Sequence, residues 1–459
     1  MKFVKRTKID VPVEDLFLWH TRNGAIFRMT PPWAPLKMIS RNREGIQKGV
    51  RVKFRLNLFK IPMIWESEHI GYKENQEFKD RQIKGPFAKW EHTHRFIREG
   101  EKSSIIEDRL DFQLPFGLLS RPFYGIAMRE FEKMFHYRHR VLKYDLENHV
   151  GKTGNLTILI SGASGTIGQA LIPLLQTCGH KVIVLERNKR EVSDNQLFWN
   201  PYKGILDIEK AGEIDAVINL NGIDISRGRW TAKQKKLIIE SRVIPTKLLS
   251  EKISKMTRKP EVFITSSAIG FYGDNSTKSI TESDGRGTLF ISRVCKLWED
   301  AASEIQKAGV RTVMLRTGVV LTPSGGALGR MLLPFKLGLG VVLSKGTQYM
   351  SWISMDDEIS AILFLLRSKK IEGPVNLTAP EPVTNLEFSQ TLARVFSRKV
   401  FFTMPEFLVK AVWGQMGKET LLASSKVQPE KLLSQGFAFQ HQTLFSALRD
   451  LIGNRGDIQ

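Results

Sequence analysis

Gly162, Gly165 and Gly168, with Ser164, Thr166 and Ile167 among them, form the stretch whose residue types and spacing point most directly to chemistry. Glycine lets a backbone turn tightly and come close to a pyrophosphate. A helix opening at Thr166 would aim its unbonded N–H groups, and the positive end of its dipole, at that anion. Glycines are common in any turn, so the spacing takes its meaning from its flanks. The β-branched run 156–161 reads as a buried parallel strand, and the residues after the loop read as a helix running to about 178.

The next candidates lie at the ends of further apolar runs. Residues 181–185 read as a second strand ending in Glu186-Arg187. A carboxylate there suits the ribose hydroxyls of NAD, whereas a guanidinium pairs with the additional phosphate of NADP. The two also make sense as a surface ion pair without a ligand. The reading adopted is NADP, with Arg187 on the phosphate and Glu186 turned outward, and NAD as the alternative. Asn219, Leu220, Asn221 and Gly222 form a turn expected under the cofactor. The strand 262–267 places the hydroxyls of Ser266 and Ser267 at its C-terminal end, where open α/β sheets bind ligands. Tyr272 follows as a candidate acid/base steered by Lys296 or Arg293; structural packing beside Phe271 is the competing role. A buried tyrosine whose pKa is not lowered exchanges protons poorly near neutrality.

Seven of the nine histidines fall within residues 1–150. His92 and His94 share a strand face, and His136 and His139 a helix face. No acidic third ligand sits at a supporting spacing, so no metal is expected and hydrogen-bonded histidines in an aromatic sheet are the preferred reading.

Around these residues, a chain of 459 residues exceeds one ordinary core and implies two or three domains. With 42% hydrophobic and 25% charged residues the composition is globular. Two cysteines, Cys178 and Cys295, exclude a disulfide framework and favour a reducing, cytoplasmic location. The net charge of +22 fits a nucleic acid, a membrane surface or an acidic ligand. No basic run interleaved with aromatics, zinc-finger or helix-turn-helix pattern accompanies it, so a solvated basic surface without a specific nucleic-acid partner is expected. The charged N-terminus does not read as a signal peptide. The longest apolar stretch, 331–343, is interrupted by Lys336 and glycines and is too short for a membrane span.

Residues 1–150 read as strands closed by a terminal helix. The segment 50–56 alternates apolar and basic residues, 90–96 and 105–112 repeat the theme, and 123–146 carries Ile126, Met128, Phe131, Phe135, Val141 and Leu142 near helical spacing. A long helix on a curved antiparallel sheet would enclose a cavity. A polar linker is expected at 149–155, and amphipathic helices at 405–422 and 442–452.

The first part resembles the START-like (SRPBCC, polyketide-cyclase-like) ligand-binding superfamily. The resemblance rests on Pro12 to Phe17, the stretch from Gly85 to Phe96, and Asp108-Arg109-Leu110-Asp111-Phe112. It implies an apolar small-molecule ligand and names no catalytic residue. Residues 156 to about 452 resemble the extended short-chain dehydrogenase/reductase superfamily, and within it the NAD(P)-binding "epimerase family" proteins once labelled cell-division-inhibitor-like. The matching segments include Gly162 to Gly168, Gly228-Arg229-Trp230-Thr231, Ser266 to Gly273, Trp298-Glu299, Leu315-Arg316-Thr317-Gly318, Gly325-Gly326-Ala327-Leu328, Ser351-Trp352-Ile353 and Ala379 to Asn385. The implied fold is α/β, a doubly wound parallel Rossmann sheet over 156–400 completed by a helical segment at 401–459 and preceded by an α+β helix-grip domain over 1–150. Ser164 and Arg316 join the implied cofactor contacts.

The resemblance also implies a serine that orients substrate, a tyrosine acid/base and a lysine four residues later. Ser267 matches the serine, but Ile291 and Cys295 stand at the other two positions. Two functions follow. One is an NAD(P)-dependent oxidoreductase or epimerase-like protein acting on a small organic substrate; the other is a non-catalytic dinucleotide-binding sensor or scaffold.

Overall fold

A computed structural model describes residues 1–34, 36–58, 61–152, 154–189 and 195–453. Thr153 of the expected linker and residues 454–459 lie outside the described residues. The chain divides into two compact units, one holding Met1–Asn155 with Ile172–His180, the other Leu156–Leu171 with Lys181–Asn454.

In the first unit, β1 (Lys2–Ile9), β2 (Leu36–Arg41), β3 (Arg51–Leu58), β4 (Ile61–Lys73), β5 (Glu77–Lys84), β6 (Lys89–Arg98) and β7 (Ser104–Gln113) form a seven-stranded sheet in the order β1-β7-β6-β5-β4-β3-β2. Neighbouring strands are antiparallel throughout. Helix α1 (Val13–Thr21) follows β1, and α2 (Tyr124–Asn148) follows β7. Along α2 the buried positions Phe131, Phe135, His139, Leu142 and Leu146 recur at three- and four-residue spacing, which is what turns one stripe of a helix toward a core. Phe131 meets Phe112 edge-on at 4.8 Å between ring centroids, within a cluster that also holds Phe3, Trp90, Leu110 and Phe135.

On β6 the period of two turns Trp90, His92, His94 and Phe96 inward. Strand register then supplies what linear spacing hides. Asp80 on β5 is paired with His92, and Asp108 on β7 with His94. The sequence-based expectation that these histidines lack an acidic neighbour is therefore corrected: two carboxylates stand directly across from them.

In the second unit, β8 (Thr157–Ser161), β9 (Lys181–Glu186), β10 (Gln196–Asn200), β11 (Ile205–Leu206), β12 (Ala216–Asn219), β13 (Val262–Ala268), β14 (Arg311–Thr317) and β15 (Gly373–Leu377) form one sheet ordered β11-β10-β9-β8-β12-β13-β14-β15. All neighbours are parallel except β10 and β11. From β8 the chain winds outward first to β9 on one side and later to β12 on the other. The strand order therefore reverses between β8 and β12, and ligands of such sheets bind at that point, beyond the strands' C-terminal ends. Helix α3 (Thr166–Thr177), of which the part up to Leu171 belongs to this unit, follows β8, α4 (Ala232–Ser254) precedes β13, α5 (Phe290–Asp300) precedes β14, and α6 (Gly326–Lys336) and α7 (Met355–Arg367) precede β15. The C-terminal helix Leu444–Ile452 buries Leu444, Ala447, Leu448 and Leu451 in one cluster with Trp352, Phe388 and Leu392. Among the described residues no helix is long and apolar enough to cross a membrane.

Candidate functional site: the dinucleotide cleft

The loop between β8 and α3 requires its glycines for separate reasons. Gly162 has φ +79°, and a Cβ there would lie 2.5 Å from the carbonyl oxygen of Leu220. A Cβ on Gly168 would lie 2.6 Å from Gly162 O and 2.8 Å from Ala163 Cα, so this glycine lets the helix start sit tight against the loop. At Gly165 the nearest atom to such a Cβ is Gly162 O at 3.2 Å, a lesser conflict. Ser164, Gly165 and Thr166 are exposed and Ile167 half-buried. Gln169 secures the turn, its N–H donating to Gly165 O and its side-chain amide to Ser164 O. The result is a backbone shelf at the N-terminus of α3 with no side chain from its own glycines on it.

Two other segments border that shelf. The turn after β12 brings Leu220 against Gly162, and Gly325, at the start of α6, lies so that its Cβ would be 3.4 Å from Thr166 Oγ1. Arg330 of α6 ties these segments together by donating to Asp224 Oδ2 at 2.7 Å and to Ser226 Oγ.

Under the turn, the side chains of 219 and 221 face away from the shelf. Asn219 is fully buried and donates to Thr246 Oγ1 at 2.7 Å and Thr265 Oγ1 at 2.9 Å, while its own oxygen accepts from Ser161 Oγ at 2.8 Å. Asn221 folds back to donate to Ser161 Oγ at 2.6 Å. Arg242 closes the far side, donating to the carbonyl oxygens of Ile223 and Ile238, each at 3.0 Å, with its guanidinium 4.9 Å from the Trp298 ring. Buried polar groups satisfied in this way fix the turn's course, so 219–222 can meet a ligand through its backbone.

At the end of β9, Glu186 accepts from its neighbours' backbone N–H groups, Arg187 N at 2.7 Å and Asn188 N at 2.8 Å. The carboxylate is thus turned onto the chain and Arg187 is exposed.

The hydroxyls of Ser267, near the end of β13, and Tyr272, just beyond it, are engaged in a second buried network. Ser267 Oγ donates to Glu299 Oε1 at 2.7 Å. Arg316 binds both oxygens of Glu299, at 2.9 Å each, and donates to the Tyr272 hydroxyl at 3.0 Å; that hydroxyl donates onward to Asn376 Oδ1 at 2.7 Å. Ser267, Tyr272, Glu299, Arg316 and Asn376 are all buried, and Ser266, on the opposite strand face from Ser267, is half-buried. Burial pushes the Tyr272 phenol above its ordinary value, and the adjacent Arg316 only partly opposes this. The partners of Tyr272 are therefore Arg316 and Asn376, in place of the expected Lys296, which pairs with Asp300, or Arg293, which is exposed. Arg316 itself is held by Glu299 and Tyr272 and stacks 3.5 Å above the Phe271 ring.

Ile291 and Cys295 occupy the positions that the resemblance assigns to tyrosine and lysine. Both are buried, and Ile291 packs so closely on the turn after β13 that a Cβ on Gly270 would meet its Cγ1 at 2.8 Å. Burial, reinforced by Glu299, pushes the Cys295 thiol up to about 12 and keeps it neutral. Glu299 figures in the sequence only within the matching Trp298-Glu299 segment, with no role assigned to it. Its signal was a carboxylate four residues after Cys295 and eight after Ile291, on the apolar face of α5.

The parallel sheet, its reversal point and the cleared shelf at a helix N-terminus define a Rossmann-type dinucleotide-binding protein. Residues 158–377 match the NAD dependent epimerase/dehydratase family, and residues 404–451 match a domain of unknown function. An epimerase family protein of Mycobacterium bovis is 39% identical over 294 residues, covering 64% of this chain and 97% of that protein. The chain belongs to this epimerase family. A solved nucleoside-diphosphate sugar epimerase from Corynebacterium glutamicum superposes with a TM-score of 0.80 at 28% identity, covering 98% of this chain and 90% of that one. The human epimerase family protein SDR39U1, solved with NADPH, superposes with a TM-score of 0.60 at 31% identity, covering 65% of this chain and all of its own.

Proposed function

We propose that the chain is an NADP(H)-binding member of its family that carries out oxidoreduction or epimerisation of a small organic substrate, with NAD as the weaker coenzyme. The observation that carries this reading is the shelf itself. Gly162 and Gly168 leave no room for a side chain, while exposed Ser164 and Thr166 present their backbone at a helix start beside Gly165, whose own N–H is spent on Gly162 O at 3.0 Å. In this reading the pyrophosphate rests on Ser164 to Ile167, the backbone of Asn219 to Gly222 borders the coenzyme, and Arg187 meets the ribose phosphate because Glu186 is already occupied by the chain. NADPH in the solved human relative supports the same choice. When bound, the coenzyme supplies or accepts a hydride. Ser266, Ser267, Tyr272 and Arg316 form the polar end of the cleft, with Tyr272 as the candidate acid/base, its hydroxyl oriented by Arg316 and Asn376 and its raised pKa restricting it to the neutral, proton-donating form.

A second reading, dinucleotide binding without turnover, is favoured by Ile291 and Cys295 and by the engagement of both candidate hydroxyls with Glu299, Arg316 and Asn376. For the N-terminal unit, taken as a separate domain ending near 150, the antiparallel sheet closed by a long helix supports the START-like helix-grip reading and a ligand-binding role.

Calorimetric titration of the full chain tests the proposal. NADPH is expected to bind more tightly than NADH, and Arg187→Ala to weaken NADPH by roughly 10- to 100-fold, the scale of a hydrogen bond to a charged group, with NADH unchanged. Failure of both coenzymes to bind removes the proposal. Turnover of candidate carbonyl substrates that survives in Tyr272→Phe removes the assigned acid/base, and absence of turnover despite tight binding selects the second reading.

A further inference from the structure

Among the described residues, a close set of metal-ligating side chains lies away from the dinucleotide cleft, on the inner face of the first unit's sheet. His92 and His94 point inward two residues apart on β6, with Asp80 across from the first and Asp108 across from the second. His139 of α2 comes down from the opposite side. His92, His94, Asp108 and His139 are buried, and Asp80 is half-buried.

The hydrogen-bond directions leave an unmet requirement. Asp108, an acceptor when ionised, lies 3.2 Å from His92 Nε2 and 2.8 Å from His139 Nε2. A neutral His92 that donates from Nε2 has a bare lone pair on Nδ1, and that atom faces Asp80 Oδ1 at 3.6 Å. A lone pair and a carboxylate oxygen facing each other in a largely buried place repel, and either a proton on Nδ1 or a bound cation between them removes the conflict. Arg138 contributes positive charge nearby, but its guanidinium sits over the Phe135 ring and forms no ion pair with either carboxylate among the described contacts. His94 adds a second crowded contact: its Nδ1 lies 2.5 Å from Asp108 Oδ1, the carboxylate already shared by His92 and His139, with no well-directed hydrogen bond from Nδ1 among the described residues.

One ligand atom from each of Asp80, His92 and His94 can be chosen so that all lie within 4.8 Å of one another. A tetrahedral ion with bonds of about 2.0–2.1 Å holds neighbouring ligand atoms ~3.4 Å apart, so the Asp80–His92 spacing needs only a small adjustment. Coordination through His94 Nε2 would leave its Nδ1–H to turn onto Asp108, giving the carboxylate–imidazole–metal arrangement that fixes ring orientation.

We propose that Asp80, His92 and His94 form a binding site for a divalent first-row transition-metal ion, with Asp108 and His139 as positioning residues. Two imidazoles and one carboxylate suit zinc, iron(II) or cobalt(II) rather than magnesium or calcium, which prefer oxygen ligands. The partial exposure of Asp80 marks the side from which the ion enters.

The test uses the full chain, stripped with chelator and titrated with Co²⁺, then with Zn²⁺ in competition. The expected result is one equivalent bound, seen as visible absorption of the cobalt form and as metal retained through gel filtration. Asp80→Asn and His94→Gln should each weaken binding at least 100-fold, and Asp108→Asn by about 10- to 100-fold, with near-ultraviolet circular dichroism confirming that each variant is folded. Absence of Co²⁺ and Zn²⁺ binding at tens of micromolar, or equal uptake by folded Asp80→Asn and His94→Gln, overturns the proposal. If these variants do not fold, proton resonances of the cobalt-loaded wild-type chain decide: paramagnetically shifted imidazole N–H signals uphold the site, and their absence overturns it.

Discussion

Replacing Glu358 by glutamine is expected to change how the stability of the chain depends on pH. Glu358 sits in the first turn of α7 with no exposed surface; one oxygen accepts from Thr317 Oγ1 at 3.0 Å and the other has no hydrogen-bond partner among the described residues. Burial pushes its carboxyl from the usual 4.5 up to about 8, and Thr317 offsets this only in part. Between those two values the folded chain keeps a proton that the unfolded chain has released, so stability falls as pH rises through the window. The slope is about 1.4 kcal/mol per pH unit, or roughly 4 kcal/mol between pH 5 and pH 8. Glutamine keeps the acceptor toward Thr317 and cannot ionise. It places an amide where the second oxygen stood, which shifts its stability by a constant but adds no slope. Calorimetric unfolding of the full chain from pH 5 to pH 9 should therefore show Glu358→Gln gaining on the wild type up to about pH 8 and running parallel above it. A difference between the two that stays flat across this range refutes the buried-acid reasoning.

Gly168→Ala would add good helix propensity worth about 1 kcal/mol, yet its Cβ would meet Gly162 O at 2.6 Å. Overpacking of about 1–3 kcal/mol should win, lowering the unfolding midpoint and abolishing NADPH binding in calorimetric titration. His441 shows the opposite pH behaviour to Glu358. Burial opposes its charge, but Asp357 and Asp450 outweigh burial and raise it to about 9. Its contribution is complete below about 6.5 and disappears as pH rises through about 9. His441→Gln should thus cost on the order of 3 kcal/mol more at pH 6 than at pH 10, measured by urea unfolding.

What could be read in the sequence was local. A β-branched run followed by glycines and a helical pattern announces β8, the loop and α3 because every contact that shapes them lies within a few residues. The helix Tyr124–Asn148 likewise shows its apolar stripe directly, its ends differing by a residue or two from the expected 123–146. What escaped depends on partners far along the chain. Tyr272 meets Arg316 across 44 residues and Asn376 across 104, so no spacing near Tyr272 could reveal that its hydroxyl is engaged. The carboxylates beside His92 and His94 come from adjacent strands, and only the strand register aligns them. The behaviour of Glu186 turned on main-chain N–H groups, which the residue alphabet does not record.

The link from Arg330 to Asp224 deserves a kinetic interpretation. Its partners are both solvent-exposed, and such pairs typically contribute less than about 1 kcal/mol and weaken in salt. The two walls of the shelf are consequently fastened by something a passing ion can loosen. Under the proposed function, loosening this pair would add little to the barrier for coenzyme exchange, and residence time would be set by the grip of the backbone on phosphate.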